Sequence, residues 1–201
     1  MMGLRLAHSR RALSGVVAAS LSYEAGLRAF GSFKDDPETP EAPKAQFKKW
    51  VGSLSYLRPF RLFDQSFEWQ SELHGQWTED NLYGTEQISL GGAESVRGFW
   101  DQTLSGDVGG YWRNELSWRA FEGQEGNVFQ TGDLFTGLDW GWTRKDASNP
   151  YEGGHLQGIV IGGRARGESF FMTLSWEKSL QRPTFFNKEN RAVRFHAGLR
   201  F

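Results

Sequence analysis

The segment ISLGGAESVRGFW, residues 88–100, sets a single arginine, Arg97, in a glycine-rich stretch between two runs that alternate apolar and polar residues. A guanidinium fork in such a loop can hold a carboxylate through two parallel hydrogen bonds, a geometry the point charge of lysine does not reproduce. Gly98 permits the tight turn that would bring the fork out of the loop. The chemistry implied is recognition and not bond-making. The 4 His, at positions 8, 74, 155 and 196, are scattered without ligand spacing, and there is no Cys for a disulfide or thiolate metal site. No G-x-S-x-G elbow, Walker loop, G-x-G-x-x-G or H-E-x-x-H occurs, and GGRARG has the wrong glycine spacing for a nucleotide loop. Catalysis, a metal and a cofactor are therefore not expected. A net charge of −1 gives no reason to expect a nucleic-acid partner.

The elements that must position Arg97 are read from periodicity. The 201 residues suffice for one domain, and they include 9 Trp, 16 Phe and 25 Gly. Mean hydropathy is nevertheless −0.55, because the apolar residues are dispersed singly among polar ones. In FEWQSELHGQW, Phe67, Trp69, Leu73 and Trp77 oppose Glu68, Gln70, Glu72, His74 and Gln76. In YWRNELSWRAF, Trp112, Leu116, Trp118 and Ala120, with Asn114 the exception on their face, oppose Arg113, Glu115, Ser117 and Arg119. LFTGLDWGW sets Leu134, Leu138, Trp140 and Trp142 against Gly137, Asp139 and Gly141. FFMTLSWE and the terminal VRFHAGLRF repeat the pattern, the latter with Val193, Phe195, Ala197, Leu199 and Phe201 on its apolar face. Nine strands are predicted, over 3–9, 15–30, 48–60, 66–79, 110–121, 133–145, 155–166, 169–179 and 192–201.

Strict alternation fits a soluble antiparallel sheet with its apolar face on a core. It also fits a transmembrane barrel with its apolar face in lipid and its polar face on a wet lumen. Three details favour the barrel: strands near the ~9–11 residues needed to cross, aromatic residues gathered at strand ends, and several charges on each polar face. Long connections at 31–47, 80–109, 146–154 and 180–191 alternate with short ones near 10–14, 61–65 and 167–169, as loops and turns of such barrels do; 122–131 is an over-long exception. LRLAHSRRALSGVVAAS opens like a signal peptide, but its apolar run at Val16–Ala19 is short and SLSYEAGLRAF continues it in period two, so it is read as strand. No run approaches the ~20 apolar residues of a membrane helix.

With LGGAESVRGF, then WRNELSW, GLDWG and LQGIVIGGRARG in order, and an aromatic C-terminal residue, the sequence resembles the C-terminal half of haemolysin secretion/activation proteins of the ShlB/FhaC/HecB type. The resemblance is good over roughly 45–201 and poor over the first forty residues. It implies an all-β fold, a partial transmembrane antiparallel barrel holding about eight or nine strands of a sixteen-stranded family barrel. It assigns Val96, Arg97, Gly98 and Phe99 to the V-R-G-[FY] tip of a long loop, 80–109, folded into the lumen. Gly137, Asp139 and Gly141 match the inward [FG]-x-D-x-G motif of the family's thirteenth strand. Arg97 is then expected to latch to Asp139 where the two glycines leave the wall bare, while Arg113 and Glu115 are expected to be general lumen lining. Phe195, Leu199 and Phe201 resemble a C-terminal targeting signal. Nothing in residues 1–201 corresponds to the periplasmic POTRA domains of the family. The implied location is the bacterial outer membrane. The implied partners are an unfolded secreted exoprotein, outer-membrane lipid and the barrel insertion machinery. An assembly factor of the same superfamily, or a passive porin-like barrel, is the alternative.

Overall fold

Period-two patterning becomes one long sheet. The computed structural model describes residues 1–29, 34–35, 38–39, 41–123, 128–144, 153–186 and 190–199. Its strands are β1 (Met2–Ala12), β2 (Gly15–Ala25), β3 (Lys48–Leu62), β4 (Gln65–Thr78), β5 (Ile88–Leu90), β6 (Leu104–Gly106), β7 (Gly109–Glu122), β8 (Thr131–Thr143), β9 (Gly154–Arg166), β10 (Phe170–Gln181) and β11 (Arg191–Leu199). Nine form a single antiparallel sheet in the order β1-β2-β3-β4-β7-β8-β9-β10-β11, and β5 pairs with β6 as a separate two-stranded hairpin. All nine predicted strands are present. The weakest of them, 3–9, extends over Met2–Ala12 and pairs with β2 along its whole length. The β5–β6 hairpin was not anticipated, since three-residue strands leave too little pattern to read. Phe201 lies outside the described residues.

Connections sort by end. β1–β2, β3–β4, β7–β8 and β9–β10 are joined at one end of the sheet, and β2–β3, β4–β7, β8–β9 and β10–β11 at the other. Leu13-Ser14 and Phe63-Asp64 adopt left-handed φ of 53°, 61°, 50° and 61°. Two such residues make the two-residue turn whose twist suits the flanking strands, although bulky side chains seldom occupy it. The register shifts between Arg119 and Phe121, and the ladder continues past the strand ends through Gly123 N–H to Gln130 O at 2.8 Å and Gln130 N–H to Arg166 O at 2.9 Å.

The two faces are inverted relative to a water-soluble sheet. Trp69, Leu73, Trp77, Trp112, Leu116, Leu134, Trp142, Leu174, Trp176, Val193, Phe195 and Leu199 are exposed, whereas Gln76, Glu115, Ser117, Asp139, Ser175 and Glu177 are buried. A contiguous exposed apolar face of this kind is the lipid-facing surface of a barrel. On β4 the aromatic limits Phe67 and Trp77 stand ten residues apart, about 33 Å at ~3.3 Å per residue, or roughly 25 Å of membrane at the usual ~40° strand tilt. No helix among the described residues is long and apolar enough to cross a membrane.

The inward face is not uniformly wet. Residues 79–108 lie over it, and Ile88, Leu90, Val96, Phe99 and Leu104 of this segment form a core with Leu156 of β9 and Phe186. Leu156 and Val160 of β9 point inward at 1% exposure. The reading of polar residues inside and apolar residues outside therefore fails on β9, where the segment needs an apolar floor.

Candidate functional site

The tip of 79–108 is assembled from its own backbone before it meets the wall. β5 and β6 close the base of the segment. Gly91 N–H donates to Ser95 Oγ at 2.8 Å, and Ser95 Oγ–H donates to Gly91 O at 3.1 Å, closing the three residues between them. Val96 and Phe99 then enter the apolar core, each fully buried. Burial of side chains of this size contributes about 1.5–3 kcal/mol apiece. Gly98, between them, has φ of +92° and lies against the β10 backbone, where a Cβ would come within 2.5 Å of the Lys178 carbonyl carbon. No other residue type suits both conditions.

Arg97, held between these two anchors, is aimed at β8. Its Nε donates to Asp139 Oδ2 at 2.7 Å, its Nη2 to Asp139 Oδ1 at 2.8 Å, and its backbone N–H to Asp139 Oδ2 at 3.0 Å. The remaining Nη1 donates to Glu115 Oε2 of β7 at 2.5 Å, and Arg164 of β9 bonds the other oxygen of Glu115. Asp139 is wholly buried and Arg97 nearly so. Burial works against the Arg97 charge, but the bonds to Asp139 and Glu115 outweigh it and raise its pKa above the ordinary arginine value.

Three glycines make the approach possible. A Cβ at Gly137 would stand 2.4 Å from Arg97 Nη2, one at Gly141 would stand 2.7 Å from Val96 Cγ2, and one at Gly158 would stand 1.7 Å from the Arg97 carbonyl oxygen. Gly137 and Gly141 flank Asp139 on the inward face of β8. Gly158 is the residue directly across from Asp139 on β9. Gly158 went unread in the sequence, and counting phase along β9 from its partner strand was the available signal.

A second clasp holds the other side of the tip. Gly98 N–H donates to Glu177 Oε2 of β10 at 3.2 Å. Glu177, 2% exposed, also accepts from Ser175 Oγ at 3.3 Å and from Arg194 Nη2 of β11 at 3.4 Å. The Arg194 guanidinium lies 3.5 Å from the ring centre of Trp100, a cation–π contact. The site thus balances Arg97, Arg164 and Arg194 against Glu115, Asp139 and Glu177. One expectation is corrected. Glu115 is a direct partner of Arg97 and not general lining, because the cross-strand register sets it opposite Gly137. Glu177 is likewise a specific anchor. Phe195 and Leu199 are apart from this site, exposed on the outward face of β11.

The chain matches the family described as haemolysin secretion/activation protein ShlB/FhaC/HecB over residues 1–165, so the first forty residues, which alone showed little of the pattern, fall inside the match. It is 40% identical over 157 residues to the outer membrane transporter CdiB of Escherichia coli, covering 78% of this chain and 26% of the relative. It is 31% identical over 201 residues to CdiB of Dickeya dadantii (strain 3937), covering 100% of this chain and 35% of that protein. The chain therefore spans about a quarter to a third of the length of these relatives. The solved structure of CdiB from Escherichia coli superposes with a TM-score of 0.88 at 33% identity, over 97% of this chain and 35% of the other. That of CdiB from Acinetobacter baumannii, at 24% identity and a TM-score of 0.76, shares the fold. On these matches the chain belongs to the haemolysin secretion/activation protein family ShlB/FhaC/HecB, and its open sheet is part of an outer-membrane β-barrel.

Proposed function

We propose that the chain supplies the C-terminal barrel portion of an outer-membrane transporter that exports an unfolded partner protein by two-partner secretion. In this reading residues 79–108 occupy the lumen as a plug, and Arg97 latches the plug to the barrel wall through Asp139 and Glu115. The observation that carries it is the buried Arg97 fork, hydrogen-bonded through Nε, Nη1 and Nη2 to two carboxylates, at the tip of a loop whose apolar residues share a core with the inward wall. An inward charge network is retained where apolar packing would serve stability as well, and intramembrane charges of this kind mark function. The packed core under the loop favours a gated conduit over a passive porin-like pore. The names of the relatives, outer membrane transporter CdiB and, in Proteus mirabilis, hemolysin transporter protein HpmB, favour secretion over barrel assembly.

The test is Arg97→Ala in an intact transporter carrying these residues, with exported protein measured in the medium and barrel insertion measured in the outer membrane. The expected outcome is insertion at the normal level with export largely lost. Normal export by the variant contradicts the latch.

A further inference from the structure

Most of the outward face is filled by side chains, but across three adjacent strands it is bare. Gly52 of β3 pairs with Gly75 of β4, and Gly75 pairs with Gly110 of β7. These residues share the outward phase, so three glycines stand side by side, in line with Trp142 of β8. The adjacent row carries Leu54, Leu73, Trp112 and Trp140. The result is a groove of about 880 Å³ with a glycine floor, walled by these leucines and tryptophans. Its walls are braced: Trp112 and Trp140 stack at 5.4 Å, and Trp112 Nε1 donates to Ser71 Oγ at 2.8 Å.

The protein does not use the vacancy itself. A Cβ at Gly52 would meet nothing closer than 3.9 Å, and one at Gly75 nothing closer than 3.4 Å, both ordinary contacts, whereas Gly110 is held bare by the β4 backbone, its Cβ position lying 2.6 Å from the His74 carbonyl oxygen. Gly52 and Gly75 contrast with Gly137, Gly141 and Gly158, where the loop already fills the space. The floor lies two residues from Trp50 and Trp77 along β3 and β4, about 7 Å at ~3.3 Å per residue. That depth is just inside the aromatic row at the long-loop end, where acyl chains begin. One rim is edged by the amides of Gln157 and Gln181, which are paired with each other across β9 and β10. Amides suit hydrogen bonding to an ester more than charge pairing.

We propose that this groove seats one acyl chain of a bilayer lipid from the leaflet at the long-loop end. The proposal rests on the reading of the outward face as lipid-facing. The glycine floor lies on β3, β4 and β7, interior strands of the sheet, so closure of the barrel at β1 and β11 leaves the floor in place. An acyl chain lying on the glycines would contact the Trp and Leu walls that are otherwise left standing above an empty floor.

The test uses the full chain in bilayers of phosphatidylethanolamine and phosphatidylglycerol containing a phospholipid with a diazirine on one acyl chain. After irradiation, adducts are mapped by mass spectrometry. Adducts are expected in excess at Leu54, Leu73, Trp112 and Trp142 relative to Ile161 and Trp176, outward residues away from the groove. Gly52→Val with Gly75→Val should abolish the excess while Ile161 and Trp176 remain labelled. If the double variant does not insert, Gly75→Ala alone should reduce the excess. Even labelling of the outward residues, or an excess that survives filling of the groove, overturns the proposal. Loss of all labelling, at Ile161 and Trp176 as well, overturns it by a different route, by removing the lipid-facing reading beneath it.

Discussion

At the scale of single residues, the site is a balance of buried charge. Removing Arg97 strands Asp139, which has no exposure, and breaking one side of a buried pair costs about 3–5 kcal/mol. Arg97→Lys is expected to rescue little, because one ammonium cannot satisfy both Asp139 oxygens and Glu115 together. A charge reversal, Arg97→Asp with Asp139→Arg, is a weaker rescue than an isolated pair would allow, since the new carboxylate at position 97 would face Glu115. The double variant is expected to export more than either single variant but well below the parent, with a coupling on the order of 0.5–3 kcal/mol from a double-mutant cycle. Strictly additive losses would show that the two residues do not act as a unit. Arg97 and Asp139 were legible in the sequence because each sits in a short motif and Asp139 has a definite phase. Glu115 and Glu177 were legible only as inward residues. Phase tells which way a side chain points within its strand, but the alignment of rows across strands decides which carboxylates meet at one guanidinium.

At the scale of elements, the loop is seated by shape as much as by charge. Gly158 on β9 has no side chain, and the Arg97 carbonyl rests in the space. Gly158→Ala is expected to lift the tip while leaving the β8–β9 ladder in place. The measurement is limited proteolysis of the inserted protein: residues 79–108 should become cleavable from outside, with the strands still protected. Unchanged protection would show that the tip tolerates a methyl group there and that the close approach is not needed. The strands themselves were readable in place and order from period two but not always in extent: the second, read as 15–30, ends at Ala25, and the first, read as 3–9, runs over Met2–Ala12. The packing of the loop was not readable. GHLQGIVIGG is apolar or neutral on both faces, so its own composition does not tell which face turns inward; pairing with β8 sets Leu156 and Val160 in the inward phase of Asp139, and Leu156 then joins Leu90, Val96 and Phe99 in the core.

At the scale of the whole molecule, the sheet keeps its large apolar side chains outside and the charges of the Arg97 site within, with β1 and β11 each paired on one side among the described residues. Such an outward face should hold the chain in the membrane fraction through an alkaline carbonate wash and release it only with detergent; recovery in the aqueous wash would contradict the barrel reading. The central claim, that the tip of 79–108 lies against the inward wall of β8 in the inserted protein, is tested most directly by a crosslink. The chain has 0 Cys, so a pair introduced as Val96→Cys and Gly141→Cys has no background, and Val96 Cγ2 stands 2.7 Å from where a Cβ at position 141 would be, within reach of a disulfide after small adjustments. The account predicts that this pair oxidises in intact outer membranes and that Val96→Cys with Trp140→Cys, one residue away on the outward face, does not. Failure of the 96–141 pair to crosslink in fully inserted protein, or equal crosslinking of both pairs, would contradict it.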